Sequence, residues 1–186
     1  MNEFALGYKA GRYKHLIVTR ANVSTEDNGY RPGTEKDKVR GVLSSIREKL
    51  IELKKITGDT LFDKLISDFD ADEGKEPHGI LKIQPLNDTQ GATFSDSLMF
   101  FDEAQNATDE QIKLFLTRAG KNSKIVLAGN LPQVQAVNNP GLSKYNNGLL
   151  SAERKMRDQE IVAVIYSNKA ETRGPIPKMV SCVYKN

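Results

Sequence analysis

Apolar residues recur in blocks along this chain, and their period changes from block to block. Phe4, Leu6 and Tyr8, mixed with Ala5 and Ala10, predict a short helix from Phe4 to Tyr13 that Gly11 stops. His15-Leu16-Ile17-Val18-Thr19-Arg20 is a compact, β-branched run of near-continuous hydrophobicity, which predicts a buried parallel strand. Val23 to Gly33 reads as a loop, with Asn28-Gly29 and Pro32-Gly33 as turn signals. Val39, Leu43, Ile46, Leu50 and Leu53 then fall four and three apart, a single helical stripe that Gly58 breaks. Leu61, Phe62, Leu65, Ile66 and Phe69 predict a second, shorter helix. Asp68 to His78 is polar and acidic, and predicts an exposed loop.

The second half alternates more regularly. Ile80 to Ile83 and Leu98 to Phe101 predict strands, the latter ending at Asp102. Thr108 and Gln111 have capping-box spacing, with Asp109 and Glu110 in the first turn of the helix they open. Ile112, Phe115, Leu116 and Ala119 would be its buried face and Gly120 its end. Ile125 to Ala128 predicts a strand, Gly148 to Arg157 a helix, Ile161 to Tyr166 a further strand, and Met179 to Tyr184 a short apolar tail, helix or strand. Strands alternating with helices predict an α/β three-layer fold with a mainly parallel sheet. One domain over residues 1–186 is expected, with Val39 to Gly79 as a helical insertion.

Composition narrows the class without choosing the function. At 38% hydrophobic and 27% charged, with 14 Gly and 7 Pro, the chain is globular and neither disordered nor collagenous. One cysteine, Cys182, excludes an internal disulfide and fits a reducing compartment. No apolar run approaches the roughly 18 residues of a membrane span, and no basic-then-apolar leader opens the chain. A net charge of +3 neither demands nor excludes nucleic acid.

Candidate chemistry concentrates at two strand ends. Leu98-Met99-Phe100-Phe101-Asp102-Glu103 has the Walker B pattern, four apolar residues and then two carboxylates. A buried strand would deliver both at its C-terminal end, where α/β sheets place ligands. Asp102 would hold Mg²⁺, Glu103 would orient and deprotonate a water, and Gln105 would sense the nucleotide or couple it to a partner. Ile125 to Gln133 resembles a sensor loop, in which Asn130 and Gln133 would contact the γ-phosphate or the lytic water. The phosphate cradle itself, G-x-x-x-x-G-K-[ST], does not occur: Gly74-Lys75 and Gly120-Lys121 are followed by neither Ser nor Thr. Asp68 to Gly74 fails as a Ca²⁺ loop because its glycine is out of position, and reads as a solvated acidic loop. His15 and His78 lack ligand-spaced partners. Lys9, Arg12, Lys14 and Arg20, and later Arg154, Lys155 and Arg157, are basic groups that would meet phosphates.

Six segments in this order resemble the PhoH family: HLIVTR (His15 to Arg20), Gly29-Tyr30-Arg31-Pro32-Gly33-Thr34, FDEAQN (Phe101 to Asn106), FLTR (Phe115 to Arg118), SKIVLAG (Ser123 to Gly129) and Asn147-Gly148-Leu149. The resemblance implies a RecA-like P-loop NTPase fold, ATP and Mg²⁺ as cofactors, a cytoplasmic setting and a link to RNA or single-stranded nucleic acid. It implies Glu103, Gln133 and Arg173 as catalytic residues, Arg173 as a finger reaching a neighbouring subunit. Asp102, Gln105 and Asn130 would bind the cofactor, and Arg20 and Arg118 nucleic acid. The family's sensor loop reads Gly-Asp where this chain has Gly129-Asn130. Phe4 to Gly11 resembles the second half of the helix after the Walker A motif, so the family's first strand and P-loop are expected upstream of Met1. That predicts weak ATP binding by this chain alone, and strands at Ile125 and Ile161 deprived of a central neighbour. A homo-oligomer, docking onto another PhoH-like chain or an altered strand order would follow. The alternative is a non-catalytic binding or regulatory remnant that associates with intact PhoH-like rings or RNA.

Overall fold

A computed structural model describes residues 1–21, 43–72, 75–135 and 140–166. The chain divides into two compact units, Met1–Arg154 and Lys155–Asn186. In the first, four strands among the described residues form one sheet: β1 (His15–Arg20), β2 (Leu81–Ile83), β3 (Ser97–Asp102) and β4 (Lys124–Leu127). Their order is β2-β1-β3-β4 and every pairing is parallel. The described helices are α1 (Asn2–Lys9), α2 (Ser44–Thr57), α3 (Leu61–Asp70), α4 (Asp109–Leu116) and α5 (Gly148–Met156).

Strand alternation sorts the side chains into two layers of core. Leu16 and Val18 of β1, Leu81 and Ile83 of β2 and Leu98 of β3 join one cluster with Phe4, Leu50, Leu53, Phe62 and Leu65 from α1, α2 and α3. Met99 and Phe101 point to the other face, where Phe101 meets Phe115 of α4 edge-on at 5.1 Å. Helices on both faces explain why β1 and β3 are apolar at nearly every position. The architecture is the expected three-layer α/β fold. Gly58 closes α2 in the left-handed region at φ 65°, where a residue with a Cβ is strained.

The start of α4 is built as its spacing predicts. Thr108 N–H donates to Gln111 Oε1 at 2.9 Å, and Gln111 N–H donates to Thr108 Oγ1 at 3.3 Å. Thr108→Ala is expected to lower stability by about 1 kcal/mol, read as a shift of the urea midpoint with an unchanged slope.

Three expectations need correction. First, α4 stops at Leu116, short of Gly120, and Ala119 is exposed. The Thr117 hydroxyl bonds back to the Lys113 and Leu114 carbonyls, and the chain then turns to form a parallel bridge between Phe94 and Ala119. Second, Asp68 is not in a solvated loop. It lies in α3, is 2% exposed, and its two oxygens accept three backbone N–H groups, from His78 (2.8 Å), Ile80 (2.7 Å) and Leu81 (3.0 Å). Third, residues 161–166 are not a strand. An apolar, β-branched run becomes one only where a neighbour accepts its ladder, and this one instead follows a turn closed by Val162 N–H on Gln159 O at 3.0 Å. The predicted segments Gly29 to Thr34 and Met179 to Tyr184, with Arg173 and Cys182, lie outside the described residues.

Candidate functional site

The ends of β1 and β3 bring opposite charges together. Arg20 closes β1 and Asp102 closes β3, and the two are direct partners in the ladder. Arg20 Nη1 is 3.8 Å from Asp102 Oδ2, and Arg20 Nη2 is 4.0 Å from Glu103 Oε1. Burial pushes the Asp102 carboxyl above the usual range; the Arg20 charge acts against that and the Glu103 charge adds to it. Glu103 sits at φ 53°, in the left-handed region, as does no other residue of the motif. A non-glycine residue held there costs of order 1 kcal/mol or more, and such strain collects at functional sites.

The turn after Glu103 explains what holds it. Ala104–Asn106 form one buried turn of 3-10 helix. Gln105 is wholly buried and uses both ends of its amide: Nε2 donates to Glu103 Oε2 at 2.5 Å, and Oε1 accepts Asn130 N–H at 3.0 Å. Two further bonds join the same segments, Ala104 N–H to Ala128 O at 2.8 Å and Gln135 N–H to Asn106 Oδ1 at 2.8 Å. The loop after β4 is therefore fastened to the carboxylate turn by Ala104, Gln105 and Asn106 in succession. Gly129 permits the approach. A Cβ there would collide with Gln105 Oε1 and lie 2.7 Å from Leu149 Cδ2.

The predicted residues thus separate into groups. Asp102, Glu103, Gln105 and the Asn130 backbone form one connected set, and Asn130 and Gln133 are exposed on the loop that this set anchors. Arg20, expected to face nucleic acid, lies beside the carboxylates. Arg118 lies a strand's length away: it precedes β4, at the opposite end of a parallel sheet, and donates to Ala92 O at 3.5 Å and Thr117 Oγ1 at 3.2 Å. Other cations near β1 are also engaged, Lys9 by Asp59 at 2.5 Å and Lys14 by Asp96 at 2.8 Å. The sequence context of Asn106 suggests no role, and that of Arg20 suggests none as a counter-ion. The available signal for Arg20 was that two predicted parallel strands both end in charge, of opposite sign.

A cleft of about 340 Å³, lined by Arg12, Tyr13, Asp96, Asn122 and Lys124 among others, opens at the N-terminal ends of the strands, away from the carboxylates. Its acid is already committed, since Asp96 accepts from Lys14 and from Asn122. Among the described residues no three His, Cys, Asp or Glu side chains cluster as a metal site, and no helix is long and apolar enough to cross a membrane.

The family model described as PhoH-like protein matches residues 5–185. Protein PhoH2 of Bacillus subtilis is 30% identical over 165 residues, 88% of this chain and 35% of that protein. A PhoH-like protein of Synechocystis is 30% identical over 172 residues, 91% of this chain and 47% of that protein. Protein PhoH of Escherichia coli is 28% identical over 157 residues, 84% of this chain and 40% of that protein. The chain thus spans a third to a half of these relatives' lengths. With a match that runs through every strand of a RecA-like parallel sheet, this chain belongs to the PhoH-like protein family.

Proposed function

We propose that this chain is the Mg²⁺-nucleotide-binding core of a PhoH-like ATPase that works on RNA or single-stranded nucleic acid. The observation that carries the reading is the Asp102-Glu103 pair at the C-terminal end of β3, bridged by buried Gln105 to the loop of Asn130 and Gln133. The donor set fits a hard divalent cation. Mg²⁺ takes one or two carboxylates and completes its shell with water and phosphate, and Asp102 and Glu103 are partly open, at 22% and 30%. Asp102 would hold the metal, whose contribution is to neutralise phosphate charge. Glu103 would accept the proton of an attacking water, with Gln105 fixing its carboxylate. Asn130 and Gln133 would face the terminal phosphate, and Arg173 would reach the same charge from a neighbouring subunit.

Without G-x-x-x-x-G-K-[ST] in its sequence, the chain lacks the backbone amides that carry most triphosphate contacts. Binding of MgATP by this chain alone is expected on the order of millimolar. The test is an NMR titration with MgATP. Shifts should centre on Asp102, Glu103, Asn130 and Gln133, and vanish in Asp102→Asn. Shifts centred instead on the Arg12–Lys124 cleft would sink the site, and micromolar affinity would refute the consequence drawn from the missing cradle.

A second reading, a non-catalytic protein that docks onto intact PhoH-like rings or RNA, is favoured by β4. Among the described residues it pairs only with β3 and leaves an edge with Ile125, Val126 and Leu127 half-buried. Co-purification that recovers neither a ring-forming ATPase nor RNA would count against it.

A further inference from the structure

Arg20 places a permanent cation where the proposed function wants a removable one. An arginine stays protonated at any physiological pH. Its side chain is 17% exposed, so its attraction to the two carboxylates is screened less than that of a surface pair. At 3.8 Å and 4.0 Å these two contacts are ion pairs longer than hydrogen bonds. Glu103 Oε2 is taken by Gln105 Nε2. The oxygens facing the guanidinium are Glu103 Oε1 and Asp102 Oδ2. A divalent ion approaching those oxygens meets the guanidinium and is repelled by it.

We propose that Arg20 is a built-in counter-ion that keeps bare divalent metal off the Asp102-Glu103 pair. The proposal rests on the reading of Asp102 as the metal-holding residue. Arg20 is in this role a positioning and gating residue beside the carboxylates.

The test is a Mn²⁺ titration of the full chain, with free Mn²⁺ followed by its paramagnetic resonance signal. The variants are Arg20→Gln, Arg20→Lys and Arg20→Gln with Asp102→Asn, each checked for its urea midpoint. Arg20→Gln should bind Mn²⁺ about tenfold more tightly or better. Arg20→Lys, which keeps the charge, should match the parent, and adding Asp102→Asn should abolish the gain. Equal binding by parent and Arg20→Gln, both lost with Asp102→Asn, would overturn the gate and leave the metal site standing. Absence of any Asp102-dependent binding would overturn both. Should Arg20→Gln not fold, the parent decides: Asp102-dependent Mn²⁺ affinity on the order of 10 μM or tighter excludes the gate.

Discussion

Asp68→Ala is expected to destabilise the protein by about 3–5 kcal/mol, among the largest effects a single change here can have. The carboxylate is 2% exposed and accepts three backbone N–H groups. Hydrogen bonds to a charged acceptor contribute roughly 1.5–3 kcal/mol each, and a donor left buried without a partner costs about 1–3 kcal/mol more. These amounts are not additive, which keeps the total well below their sum. The structural consequence is specific. Leu81 opens β2, which among the described residues is an edge strand with three residues in register with β1; besides the Asp68 bonds, its entry is held by Leu16 N–H on Ile80 O at 2.8 Å and by the His15 ring against Gly79 O at 3.0 Å. Asp68→Asn retains one acceptor oxygen and should fall between alanine and the parent. Urea unfolding measures all three, and amide exchange at Leu81 should accelerate in the variants. A loss under about 1 kcal/mol for Asp68→Ala would show that the clamp is not what seats β2.

That residue also shows where sequence reading stops. The helical period of Leu61, Phe62, Leu65 and Phe69 places α3 correctly, because periodicity reports which side of a helix is apolar. It says nothing about a polar residue at the helix end that turns inward. Asp68 is followed by Asp70, Asp72 and Glu73, and the composition of that run describes a solvated loop. Only the fold reveals that the first of these acids accepts the backbone amides of His78, Ile80 and Leu81, at the entry of a strand that begins thirteen residues later. The strands of the sheet were legible for the opposite reason. Leu16 to Val18, and Leu98, Met99 and Phe101, are buried on both faces of the sheet, so their apolar runs state the tertiary environment directly. The run at 161–166 has the same composition, but composition does not supply a ladder partner.

The candidate site divides along the same line. Asp102 and Glu103 follow from four apolar residues and then two acids, a pattern local to one strand. The position of Arg20 depends on strand order, which is a property of the whole sheet: β1 and β3 are neighbours although both α2 and α3 and the strand β2 separate them in sequence. The roles of Gln105 and Asn106 depend on where the loop after β4 passes. Each link of that kind needs two segments placed in space, and no spacing along the chain encodes it.

Gln105→Ala is expected to cost about 2–4 kcal/mol and to disconnect the two halves of the site. Truncating a wholly buried side chain removes packing and leaves a hollow, and it strands the Asn130 N–H that Oε1 now accepts. Gln105→Leu separates the two contributions, since it fills the volume without restoring either hydrogen bond. Asn130 is itself exposed, so this hydrogen bond is what should slow its amide exchange. Exchange at Asn130 should therefore accelerate in both variants, and Gly129→Ala should produce the same acceleration by pushing Gln105 aside. Gln105→Glu adds a charge test. The new carboxylate would lie against Glu103 Oε2, where Nε2 now donates at 2.5 Å. Two facing carboxylates raise one pKa in the folded state above its unfolded value. The stability of that variant is then retained below the unfolded pKa and lost as pH rises through the folded one. Relative to the parent, Gln105→Glu should be destabilised more at neutral pH than near pH ~4. A deficit independent of pH, together with unchanged exchange at Asn130, would mean that Gln105 fills space beside the carboxylates and connects nothing.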